Sequence, residues 1–201
     1  MTWKIERWLS DVFPGEAGLF SAYSTLSDRE LAIVAAGVLD LALAELIANR
    51  LINIPKECEA FLGLDESGDA PAGNSGARIQ LALLLGIIRI EDARILRVIK
   101  NIRNRFAHRV NVDFLHPTVR PLIRNLYTLW YDRSEFILRS APQSARDAQI
   151  RGLREIEKKI GLVPQAGAGL LLAVFAIYQA YLYRLNDRIE RIQYVVGRKV
   201  S

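Results

Sequence analysis

The chain has 201 residues, 51% of them hydrophobic and 24% charged, a composition that supports a real core and excludes a disordered or fibrous chain. Its single cysteine, Cys58, excludes an intrachain disulfide and any multi-cysteine zinc site. With only His108 and His116 beside it, no metal and no cofactor is expected, and the formal charge of +5 permits an anionic partner without selecting one.

Proline and glycine are concentrated in a few places and strand-like alternation is scarce, so the expected fold class is all-α, a helical bundle. Residues 1–25 read as an N-terminal amphipathic segment. Trp3, Trp8 and Phe13 are its apolar anchors, Pro14 and Gly15 end it, and packing on the main domain is preferred to binding at a membrane interface. The charges that interrupt this opening stretch before any apolar run develops argue against a secretory signal, which gives a cytoplasmic expectation for the main part.

A main domain is expected over 26–140. Ser27 and Glu30 have capping-box spacing and open a long, centrally placed helix that reaches about residue 51. Asp40 and Glu45 interrupt its apolar surface. They either reach water at its margin or take partners from the arginines of 94–109. Residues 53–76 are expected to be a connection with a short apolar island at 61–64. Its GNSGAR stretch lacks the glycine spacing and Lys-Ser/Thr ending of a phosphate-binding loop. A second helix over about 75–85 carries Ile79, Leu81, Leu83 and Leu84 inward and ends at Gly86.

The most informative stretch is 95–109, ILRVIKNIRNRFAHR, preceded by Glu91 and Asp92 at the positive end of its helix. Ile95, Ile99, Ile102 and Phe106 make one apolar stripe, while Arg97, Asn101, Asn104 and His108 repeat with the same spacing on the other side. Arg94, Arg97, Lys100, Arg103, Arg105 and Arg109 follow one another without an intervening acid. The bland reading is a solvated face paired with acids of neighbouring helices, with His108 favourable to the helix dipole.

A turn at 111–116 and Pro117 lead into a further helix that runs to about residue 140, followed by a charged connector or connecting helix over 141–159. Residues 160–201 form an additional C-terminal hydrophobic helix with a basic tail. From 160 to 183 no residue is charged and Tyr178, Tyr181 and Tyr183 cluster at one end, so the run is a candidate membrane anchor, weighed against a buried helix. Cys58 has no cation or histidine near it in sequence and reads as a small buried hydrophobe.

Two resemblances follow from these residues. LSDRELAIVAAGVLDLALAELI, then PAGNSGARIQLALLLGIIRIEDARILRVIKNIRNRFAH, resemble the mannitol operon repressor (MtlR) family over 26–108, less than half of the chain. That likeness implies an all-helical, often dimeric regulator that represses through protein contacts. Nothing in the sequence supplies a helix-turn-helix with a recognition helix, so direct sequence-specific reading of DNA is not expected.

Residues Arg103-Asn104-Arg105-Phe106-Ala107-His108 also resemble the Arg-x4-His pattern of HEPN-superfamily proteins, several of which are metal-independent RNases acting as dimers. The resemblance implies that Arg103 stabilises charge on the scissile phosphate, His108 acts as general acid/base and Asn104 orients either. Arg97, Lys100, Arg105 and Arg109 would then hold RNA. On a regular helix Arg103 and His108 point about 140° apart. Convergence therefore needs either a helix that loosens near Phe106 or a homodimer in which each chain supplies what the other lacks.

Overall fold

The computed structural model describes residues 25–51, 54–64, 70–138 and 143–186. Within them the chain is all helical, and seven helices follow one another: α1 (Asp28–Arg50), α2 (Pro55–Leu62), α3 (Ser75–Leu84), α4 (Ile90–Ala107), α5 (Arg120–Leu138), α6 (Gln143–Lys159) and α7 (Pro164–Asn186). The amphipathic segment expected over 1–25 and most of the basic tail lie outside the described residues.

α1 starts where the capping box places it. Ser27 Oγ accepts the Glu30 N–H, and Glu30 Oε2 accepts the Ser27 N–H at 2.8 Å, satisfying two donors that a bare helix end leaves open. The helix then runs through the middle of the bundle and touches α3, α4 and α7. Leu31, Ala35, Val38, Leu39, Leu43, Leu46 and Ile47 are all buried. Apolar side chains nearly all round it are what such a position demands.

α2 corrects the expectation of an irregular connection at 53–76. Pro55 occupies the first turn, where its missing N–H is not needed, and Gly63 closes the helix with φ +66. Leu62 and Cys58 are its buried contacts, so the apolar island is one end of a helix. α3 carries Ile79 and Ala82 inward, but Leu84, expected inside, is 74% exposed. The helix turns Leu84 away from α1 just before Gly86, whose φ of +68 reverses the chain.

α5 begins at Arg120 rather than at Pro117. The intervening turn is closed by Val119 N–H and Arg120 N–H donating to the His116 carbonyl at 2.8 and 2.9 Å. His116 Nδ1 accepts the Thr118 N–H at 3.2 Å, which commits this histidine to its own turn. The charged stretch 141–159 includes a full helix, α6, which buries Leu153 against its neighbours α5 and α7.

The C-terminal run also differs from the expected anchor. Leu170, Leu171, Val174, Phe175, Tyr178 and Leu182 of α7 are buried, and α1 is the helix it packs on most. Its apolar side chains are thereby used inside the bundle. Gly167 permits a close approach here, since a Cβ at that position would lie 2.6 Å from the Phe114 Cβ. Among the described residues, the helix long and apolar enough to cross a membrane by length and composition is α1, with 61% of its apolar window buried inside the protein. A core helix meets that criterion equally well.

Candidate functional site: the open face of α4

α4 is fixed in place before any of its candidate functional residues is reached. The Asp92 carboxylate, fully buried in its first turn, accepts the Arg89 N–H at 3.1 Å and so caps the helix. It also accepts two bonds from the Arg133 guanidinium of α5, at 2.8 and 3.1 Å, and one from the Tyr178 hydroxyl of α7 at 2.9 Å. Every oxygen of this buried charge is therefore engaged, the condition under which such a charge is tolerated. Burial, then the neighbouring carboxylate, pushes the Tyr178 hydroxyl well above its ordinary range, so the tyrosine stays a donor.

The inward stripe is as the periodicity predicts: Ile95, Ile99, Ile102 and Phe106 are all buried. At the far end Phe106 packs its ring 5.0 Å from that of Phe114. The Phe114 N–H reaches Asp28 at 3.3 Å, and Arg29 donates to the Arg109 carbonyl at 3.4 Å. α4 is thus held at both ends and packs on α1, α3 and α5, while Arg103, Arg105 and His108 on its remaining side are exposed.

On that edge the helix stays regular to Ala107. His108 is its C-cap, with φ −97 and ψ 1, and its N–H donates to the Asn104 carbonyl at 3.2 Å. No loosening occurs near Phe106. Arg103 and Asn104 are brought together, the guanidinium donating to Asn104 Oδ1 at 3.1 Å. The exposed His108 ring has no hydrogen-bond partner among the described residues, so no hydrogen bond joins it to the Arg103–Asn104 pair.

Arg97 donates to Gln80 of α3 at 2.8 Å, and Arg105 and Arg109 are exposed. Lys100 and Arg103 line a small cleft of about 80 Å³ between α1, α3 and α4, which also holds Asp40 and Ser75. A Cβ on Gly76 would meet the Lys100 ammonium at 2.8 Å, so the glycine leaves room for that side chain over the start of α3.

The acids expected to neutralise these cations form no ion pair with them. Asp40 pairs with Arg78 of α3, a buried arginine that also donates to the Ala72 carbonyl at 2.9 Å and to the Leu62 carbonyl. Sequence reasoning missed Arg78; its one signal was an arginine beside Ile79 in a helix whose other inward positions are apolar. Burial raises the Asp40 carboxyl, and Arg78, Ser75 and Arg103 oppose that rise. Glu45 has no such help: its Oε2 lacks a hydrogen-bond partner among the described residues, and burial pushes the carboxyl up to about 7. None of Arg97, Lys100, Arg103, Arg105 and Arg109 makes an ion pair with a described carboxylate.

Among the described residues no group of three or more His, Cys, Asp or Glu side chains could hold a metal ion. No family model, characterised protein or solved structure matches the chain.

The Glu45 environment gives a pH test. Below pH 4.5 the carboxyl is protonated in both folded and unfolded chains. Between 4.5 and about 7 the unfolded chain releases a proton that the folded one keeps, so Glu45 makes stability fall as pH rises through that window. Urea unfolding of the wild type and Glu45→Gln should show the wild type losing stability relative to the variant from pH 4.5 to 7. Parallel pH profiles would mean that Glu45 is solvated or paired.

Proposed function

We propose that this is a helical regulatory protein that works as an oligomer, most simply a homodimer, and makes its contacts through the open basic edge of α4 rather than by reading DNA directly. The observation that carries this reading is the lack of carboxylate partners for Arg97, Lys100, Arg105 and Arg109 among the described residues. A row of cations neutralised by its own fold would be a solvated face. A row left unneutralised on a helix clamped at both ends is a surface that favours an anionic partner. The resemblance of residues 26–108 to the MtlR family supports the same reading, with an acidic protein surface as the partner.

A second reading is a metal-independent RNase of the HEPN kind. What favours it is the pairing of Arg103 with Asn104 beside an exposed His108 that caps the same helix. Because α4 is regular across the motif, the active site of this reading is composite: two chains meet along α4, and each supplies a group the other lacks.

One measurement tests the α4 surface and a second tests the enzyme. Reversing two charges in Arg97→Glu/Arg105→Glu should sharply lower the salt needed to elute the protein from a heparin column, while Arg151→Glu on α6 should lower it far less. Equal elution of the two variants would contradict an α4 contact surface. Incubation with RNA in EDTA tests the enzyme. Cleavage by the wild type that drops by roughly 100-fold in folded His108→Ala supports it, given what general acid–base groups contribute. No cleavage by a folded wild-type dimer rejects it.

A further inference from the structure

A second cleft lies away from α4, between α5 and α6, and the functions argued above make no use of it. It is an open groove of about 310 Å³, lined among the described residues by Tyr127, Thr128, Tyr131, Asp132, Arg154 and Glu157. The tyrosines sit one helical turn apart on α5, with ring centroids 6.1 Å apart and planes inclined by 35°. Tyr131 is 45% exposed, so a large aromatic surface faces outward from a helix that had polar alternatives there. Glu157 stands against the Tyr127 hydroxyl from across the cleft, and Asp132 is exposed beside Tyr131.

We propose that this cleft binds an alkylated ammonium group, with the Tyr127 and Tyr131 rings as walls and the Asp132 and Glu157 carboxylates supplying the opposing charge. Among the described residues the lining carries two carboxylates and the Arg154 guanidinium. An aromatic face attracts a cation through its quadrupole, and the attraction is largest for a weakly hydrated one. A trimethylammonium head is such a cation. A primary ammonium keeps its strong hydration and gains less from an aromatic face than an alkylated one does. Burial and then the hydrogen bond to Glu157 push the Tyr127 hydroxyl up to about 12, which fits a phenol that donates to that carboxylate. The volume is at the lower end for small-ligand sites, which suits a head group and a short chain. None of this depends on the α4 surface.

The test uses the full chain and two probes of one shape, choline and its uncharged carbon isostere 3,3-dimethylbutan-1-ol, titrated by calorimetry. Choline should bind about 10-fold or more tighter than the isostere. Tyr131→Ala and Glu157→Gln should each weaken choline by roughly 5- to 10-fold without lowering the unfolding temperature, because both side chains are exposed or at the rim. A peptide carrying trimethyllysine distinguishes the source: binding by choline alone assigns a free small molecule, and tighter binding of the peptide assigns a modified protein. Equal binding of choline and the isostere overturns the proposal. So does failure of both choline and the peptide to bind, or choline binding that neither substitution changes. Charge reversal at Arg97 and Arg105 should leave choline binding unchanged.

Discussion

A single carboxylate registers the bundle. Asp92 sits in the first turn of α4 with no exposed surface and draws together the start of its own helix, Arg133 of α5 and Tyr178 of α7. A buried charge is costly unless its hydrogen-bonding capacity is filled, and the surrounding groups must keep their geometry to fill it. The Tyr178 ring in turn meets Trp130 edge-on at 6.1 Å, which carries the constraint into the apolar core. Leucines and isoleucines would tolerate small slides of α4 against α5 and α7, whereas four directional bonds to one carboxylate do not.

That constraint explains how α4 can present a basic edge. A helix whose outward cations form no ion pair among the described residues gains little from its own charges, so its position is fixed by other interactions. Asp92 holds the first turn. The Phe106–Phe114 contact, the Asp28 and Arg29 hydrogen bonds and the space left by Gly167 hold the last. Between these ends, Ile95, Ile99 and Ile102 anchor the inward stripe in the core around α1. The outward residues need satisfy no packing demand.

Local patterns were readable from the sequence and distant pairings were not. The capping box at Ser27 and Glu30 and the stripe from Ile95 to Phe106 are three- and four-residue regularities, and both stand in the structure as their spacing implies. Arg133 and Tyr178 lie 41 and 86 residues from Asp92, and no periodicity links them. Asp92 itself read as a favourable charge at a helix start, which is true but is the lesser part of its role. Asp40 drew attention to the right problem and to the lesser partner: its ion pair is with Arg78 of α3, and Arg103 of α4 adds only a charge interaction. The uncharged run from 160 to 183 showed only that its surface is apolar. Whether lipid or α1 covers such a surface is decided by tertiary packing, and here α1 covers much of α7. At the candidate site the helix stays regular to Ala107, so residues five apart on it, such as Arg103 and His108, start from different faces.

The most direct test is a double-mutant cycle on Asp92 and Arg133, measured by urea unfolding. Asp92→Ala and Arg133→Ala should each cost about 3–5 kcal/mol, since each leaves the other charge buried without its partner. Asp92→Ala/Arg133→Ala should cost well below the sum of the two, with a coupling of about 2 kcal/mol or more. Additive losses would show that the two side chains act independently, and the account of a bundle registered on one buried carboxylate would be wrong.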